Sequence, residues 1–180
     1  MRITISGSPG SGTTSLGKIL AERHNFRYLS AGEVFRSLAK EQGMDLAAFG
    51  KFAEENPKID VQIDAGQKEI GEADDNIVLE GRLAGWMVEN ADLKILLYAS
   101  PDCRSERIAE RENLTPEEAY SATVKREACE AARYMEYYEI DIADPSPYDL
   151  IINSETFNQE EVITITESAM AIVSTKQKEQ

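Results

Sequence analysis

Between an apolar stretch at Arg2–Ser6 and a helical pattern opening near Thr13 lie the residues Gly7-Ser8-Pro9-Gly10-Ser11-Gly12-Thr13-Thr14. This segment constrains the fold more than any other. Gly7, Gly10 and Gly12 let the backbone turn with N–H groups pointing inward and no side chain obstructing a bound phosphate. The helix that follows adds its unpaired N–H groups and the positive end of its dipole. A glycine-rich loop directly after a strand and opening a helix is the context a phosphate-binding loop requires. Gly7, Ser8, Pro9, Gly10, Ser11, Gly12, Thr13 and Thr14 are therefore candidate phosphate ligands. Thr14 occupies the position whose hydroxyl ligates Mg²⁺ between two phosphates. Thr13 departs from the pattern, because that position normally carries a lysine that neutralises the separating phosphates. A strand-to-helix turn without a ligand is the alternative left open by the loop alone.

Five short stretches rich in Ile, Leu, Val or Tyr predict strands at 2–6, 27–29, 77–80, 93–99 and 150–153. Most are apolar runs, which suits strands covered on both faces of a parallel sheet. Helical patterns lie between them at Thr14–His24, Ala31–Gln42, Leu46–Asn56, Lys58–Glu72, Asp102–Tyr138 and about Asn158–Ser174. Thr115-Pro116-Glu117-Glu118 interrupts the long one, with Thr115 as N-cap, Pro116 at the first helical position and Glu118 completing a capping box. The polar tail, Thr175–Gln180, is expected to fray. Strands alternating with helices predict a three-layer α/β fold around a mainly parallel sheet. At 180 residues, with no repeat or linker, a single domain over 1–180 is expected.

The chain carries 19 Lys and Arg against 33 Asp and Glu, a formal net charge of −14. That balance repels a phosphate backbone and argues against nucleic acid or an anionic membrane as partner. A small phosphorylated ligand stays open, since a few local arginines reverse the sign inside one cleft. Cys103, Cys129 and the single His24 cannot build a four-ligand zinc site, and the cysteines read as free thiols of a reducing compartment. No signal-peptide pattern follows Arg2, and the apolar run Ile95–Ala99 is far below the roughly 20 residues that span a bilayer. A cytoplasmic protein is expected.

Three further clusters bear on chemistry. Ser30 can cap the helix that holds Glu33, while Arg36, one turn on, could face an anionic ligand. Glu80-Gly81-Arg82-Leu83-Ala84-Gly85-Trp86 follows the third strand. There Glu80 could orient a Mg²⁺ hydration shell, and flanking glycines would let Arg82 approach and grip a phosphate. A polar loop with a surface salt bridge is the alternative, and Trp86 reads as packing. Arg104, Arg107 and Arg111 share one helical face, and Arg126 and Arg133 repeat the seven-residue offset. A lid carrying them would spread the charge of a transferring phosphoryl group and compensate for the absent lysine. Interleaved Glu106, Glu110, Glu112, Glu127 and Glu130 support a competing account, a salt-bridged solvated face. With no nucleophile triad, the remaining chemistry is phosphoryl transfer by positioning and electrostatics.

The succession of Gly7–Thr14, Ser30–Arg36, Asp60–Gln67, Glu80–Trp86, Arg104–Arg111 and Lys125–Asp141 resembles the archaeal-type cytidylate kinases, a branch of the nucleoside monophosphate kinases. The match runs from Met1 to about Asn153. It implies a P-loop core with a five-stranded parallel sheet, a small helical NMP-binding subdomain near 31–72 and a short helical lid near 104–133. It also implies transfer of the ATP γ-phosphoryl group to CMP or dCMP, with Mg²⁺; the oligomeric state stays open, with a monomer favoured. By position, Gly7–Thr14 would hold ATP, and Ser30, Arg36, Gly81 and Arg82 the acceptor. Arg82, Arg107, Arg111, Arg126 and Arg133 would bear on the transferring group, while Asp60, Asp64 and Gln67 would read the pyrimidine and Asp141 would help position the lid.

Two other classes compete. Another small-molecule kinase of adenylate, UMP, shikimate or gluconate type shares the loop and differs in the 31–72 segment. A guanine-specific switch should show an Asn/Thr-Lys-x-Asp tetrad after a strand; the nearest stretch, Thr175-Lys176-Gln177-Lys178, lacks the Asp and lies in the tail.

Overall fold

A computed structural model describes residues 1–56 and 58–178, apart from the side chains at 46, 47, 54, 60, 72, 177 and 178. The strands are β1 (Arg2–Gly7), β2 (Arg27–Ser30), β3 (Ile77–Glu80), β4 (Leu93–Tyr98) and β5 (Leu150–Asn153). The helices are α1 (Thr13–His24), α2 (Ala31–Glu41), α3 (Leu46–Glu55), α4 (Lys58–Ala73), α5 (Ala84–Met87), α6 (Pro101–Glu112), α7 (Pro116–Tyr138) and α8 (Gln159–Lys178). Every strand pair is parallel and the order is β2-β3-β1-β4-β5. The chain leaves β1 toward β2 and β3, then crosses to β4 and β5. The crevice outside the strands' carboxyl ends at this reversal is where open α/β sheets bind ligands.

Side-chain alternation along the strands builds the layers. Ile3 and Ile5 of β1, with Val78, Leu93, Ile95, Leu97 and Ile152, form one buried face under Leu16 and Leu20 of α1 and Val162 and Ile163 of α8. On the opposite face Ile77 and Leu79 pack with Ala84, Val88 and Ile70 of the α4–α5 side. α2, α3 and α4 pack on one another, with the fully buried ring of Phe49 edge-on to Phe35 at 4.8 Å.

The expected strands hold to within a residue at their ends, and Thr115 and Glu118 form the anticipated capping box. Two features differ from expectation. The loop after β3 contains a single helical turn, α5, whose Gly85 N–H donates to Ser6 Oγ at 3.2 Å. Gly85 is required there, because a Cβ would come within 2.4 Å of the Tyr148 ring. α8 extends past the expected end near Ser174, to Lys178, and the Thr175 hydroxyl donates to Ala171 O. No Gly or Pro stands in 175–178 to stop the helix at Ser174.

Candidate active site

α2, α3, α6 and α7 each begin with a side chain, Ser30, Asp45, Ser100 and Thr115, that accepts from a first-turn N–H. α1 does not. Its N-cap is Gly12, at φ 95°, with no side-chain cap. A helix start of this kind leaves its amide donors for an anion. Gly10, at φ 86°, takes the other left-handed position, and a Cβ there would lie 2.7 Å from Arg104 O.

The loop's carbonyls are tied to the elements around it. Three successive carbonyls are held from outside: Pro9 O by Arg104 Nη1 (3.1 Å), Gly10 O by Arg107 Nη1 (3.3 Å) and Ser11 O by the Ser154 hydroxyl (2.8 Å). Arg104 is nearly inaccessible and also donates to Ala99 O and to both carboxylate oxygens of Glu127. It therefore braces the loop from behind, whereas sequence placed it with the lid arginines.

Glu80 joins the loop to the neighbouring strand ends. Its Oε1 accepts from the Thr13 hydroxyl at 2.8 Å, and its Oε2 accepts from Ser30 Oγ and from Tyr28 Oη at 3.3 Å. Burial, reinforced by the charge of Glu80, pushes the Tyr28 phenol well above its ordinary range, so it stays a neutral donor. Ser30 Oγ also accepts from Glu33 N at 3.2 Å. The Glu33 carboxylate pairs with Lys18 Nζ at 2.7 Å, and among the described residues no bond from it back to the Ser30 N–H completes a capping box.

Arg82 donates from Nη1 to Ser8 Oγ at 2.9 Å and from Nε to Glu130 Oε2 at 2.8 Å. The other Glu130 oxygen accepts from Arg126 Nε at 2.7 Å. Burial alone would raise the Glu130 carboxyl; the guanidiniums of Arg126 and Arg82 outweigh it and hold the group below the ordinary glutamate range. The solvated-face account thus fails for Glu127 and Glu130, although Glu106, Glu110 and Glu112 are exposed as it requires. Glu130 could have been noticed from spacing, since Ala119, Thr123, Glu130 and Tyr134 share the buried face of α7.

The remaining candidates scatter more widely. Arg107 also reaches Ser154, through its hydroxyl and its carbonyl. Arg111 is exposed and pairs with Glu112, and the Arg133 guanidinium lies 6.0 Å from the Tyr134 ring centre. Arg36 is exposed beside Gly32. Gly81 is buried, and a Cβ there would meet Ala31 at 2.9 Å. Asp64 accepts from Tyr138 Oη at 2.8 Å, and Gln67 donates to Glu80 O at 3.0 Å. The side chain of Asp60 lies outside the described residues. Asp141 accepts from Ala143 N in a local turn. Tyr148 and Ser154 carried no sequence signal, because each sits in an unpatterned connection.

Beside the loop, on the Arg107 side, lies a cavity of about 260 Å³ whose lining includes Gly12, Leu97, Phe157 and Val162. Among the described residues no group of three His, Cys, Asp or Glu could cage a metal ion. The candidate donors are oxygens: the hydroxyl of Thr14 in the first turn of α1, and the carboxylate of Glu80, which accepts from the adjoining Thr13. That sparse set suits Mg²⁺ held chiefly by phosphates and water. No helix among the described residues is long and apolar enough to cross a membrane, and both cysteines are free thiols.

A parallel sheet whose first strand runs through a glycine loop into the first helix is a phosphate-loop α/β fold. Solved structures support the architecture: an uncharacterised protein from Eubacterium ventriosum aligns with TM-score 0.67 at 20% identity, covering 96% of this chain and 97% of that one. Shikimate kinase from Bacteroides thetaiotaomicron aligns with TM-score 0.61 at 14% identity, covering 97% and 98%. Such low identity shows the fold alone. The chain belongs to the cytidylate kinase-like family, whose model matches residues 2–156. It is 70% identical over 171 residues to the cytidylate kinase of Methanocorpusculum labreanum, covering 95% of this chain and 97% of that one. It is 49% identical over 172 residues to that of Archaeoglobus fulgidus, covering 96% of each.

Proposed function

We propose that the chain is a cytidylate kinase, transferring the γ-phosphoryl group of ATP to CMP or dCMP to give CDP or dCDP and ADP. The carrying observation is the uncapped start of α1 inside a loop whose carbonyls are held outward, with Arg82 tethered at its rim.

The loop Gly7–Thr14, through the amides left once Ser11 N is spent on Ser8 O, and the α1 dipole hold the donor's phosphates, and the cavity lined by Phe157 and Val162 takes its base. Thr14 would hold Mg²⁺, with Glu80 orienting its water shell. Bound there, Mg²⁺ would neutralise charge on the donor phosphates. An acceptor phosphate oxygen attacks the γ-phosphorus as its bond to the bridging oxygen breaks. The protein supplies alignment and positive charge rather than a covalent nucleophile. Arg82, Arg107, Arg111, Arg126 and Arg133 supply that charge, which is the compensation a loop with Thr13 needs. Ser30, Arg36, Gly81 and Arg82 hold the acceptor, and Asp60, Asp64 and Gln67 read its base. In this account α2–α4 form the acceptor subdomain within 31–72, and α6–α7 supply the lid across 104–133. The nucleotide substrates and free thiols support a cytoplasmic enzyme, which we take to work as a monomer.

The test is turnover with ATP–Mg²⁺ against CMP, dCMP, UMP, AMP and shikimate. Fastest turnover with a cytidine nucleotide is expected. Preference for a non-pyrimidine acceptor would overturn the assignment.

A further inference from the structure

Glu130 is the most deeply buried carboxylate that α7 contributes to an ion pair, with its side chain 6% exposed. Its two oxygens serve two different cations: Oε2 accepts from Arg82 Nε and Oε1 from Arg126 Nε. Both guanidiniums meet it through their inner edge. Arginine–carboxylate pairs are frequently two-point forks, which spend more than one guanidinium nitrogen on the carboxylate. Here Arg126 keeps both terminal nitrogens, and Arg82 keeps Nη2, out of hydrogen bonds with the described residues. Arg126 is also half exposed, and Arg82 already reaches the loop at Ser8. Two cations around one anion leave a net positive charge beside the loop, with the unspent donors available to an anionic ligand.

We propose that Glu130 is a positioning residue that aims Arg82 and Arg126 at the transferring phosphoryl group; this rests on the kinase reading above. The carboxylate touches no reacting atom. It fixes the orientation of two guanidiniums that would otherwise repel each other, and so limits the reorganisation that the transition state demands.

The signature separates aiming from mere helix docking. Glu130→Gln keeps the volume but removes the anion, so the guanidiniums lose orientation while the cleft gains positive charge. Expected are a fall in kcat of about tenfold or more and KM values for CMP and ATP that are unchanged or lower. In an Arg82→Ala background the same substitution should cost clearly less than in the parent, because half of its work is already gone. Glu130→Asp is the second variant: it keeps the charge but is too short to reach both Nε atoms, and kcat should again fall. A lower melting temperature with kcat unchanged in both variants would show a docking residue and overturn the proposal. So would losses that multiply fully in the Arg82→Ala background. If the parent chain shows no CMP-dependent turnover, the kinase reading falls and takes this proposal with it. Normal parent turnover with unaffected variants overturns this proposal alone.

Discussion

The hydroxyl of Thr13 donates to Oε1 of Glu80 across 2.8 Å, so the residue standing where phosphate loops usually carry lysine is engaged with the end of β3. Glu80 in turn accepts from Ser30 at the head of α2. One carboxylate therefore ties the start of α1 to the start of α2. Glu80→Gln replaces one acceptor oxygen with a donor, so at least one of the three hydroxyls it serves loses its partner. Misplacing the ends of α1 and α2 should lower kcat by about tenfold or more, roughly 1.4 kcal/mol of activation free energy. Steady-state kinetics at saturating ATP and CMP measure it, and unchanged kcat would detach Glu80 from the chemistry.

Arg82→Ala should damage catalysis more than folding. Arg126 still neutralises Glu130 in this variant, so no buried acid is left unpaired. A fall in kcat/KM for CMP of about 100-fold is expected, with the melting temperature within a few degrees of the parent. Unchanged turnover with a clearly lowered melting temperature would make Arg82 structural.

Thr14→Ala removes the hydroxyl assigned to Mg²⁺ while leaving the first turn of α1 intact, since Ala is the better helix former. A Mg²⁺ titration of turnover should shift to concentrations about tenfold higher or more, with little change in thermal stability. An unshifted titration would remove Thr14 from the metal's surroundings.

Gly10→Ala forces a side chain into a left-handed residue and against Arg104. A penalty of about 1–3 kcal/mol is expected for the strain. It falls on the loop, so binding of ADP, followed by calorimetry, should weaken by tenfold or more. ADP affinity equal to that of the parent would show that the loop geometry does not set phosphate binding.

The Glu130 carboxyl, held below its ordinary range by Arg126 and Arg82, makes stability depend on pH in a defined sense. Its folded pKa lies below its unfolded one, so the folded chain binds fewer protons in the window between them. The contribution is full above the unfolded glutamate value of about 4.3 and is lost as pH falls through the lower folded value. Glu130→Gln should therefore flatten the dependence of melting temperature on pH below about 4.3. An identical slope in parent and variant would contradict the buried pairing.

The fold was legible because its determinants are local: apolar runs make the strands, and Thr115-Pro116-Glu117-Glu118 states where α7 begins. The phosphate loop was legible for the same reason, as Gly10 and Gly12 occupy the left-handed positions that the turn demands. What sequence could not supply was which charges are buried. Glu130 and Glu110 look alike in the chain, yet one is enclosed between Arg82 and Arg126 and the other faces water. That distinction depends on α7 crossing near the loop after β3, a contact between residues far apart in sequence. Ser154 and Tyr148 were missed on the same ground, since their partners, Ser11 and Gly85, come from distant segments.

The most direct test of the kinase assignment is coupled ADP release from ATP–Mg²⁺ with and without CMP. The account predicts turnover that rises steeply and saturates with CMP over a small background. ATP hydrolysis indifferent to CMP would contradict it, leaving a phosphate-binding loop without its acceptor.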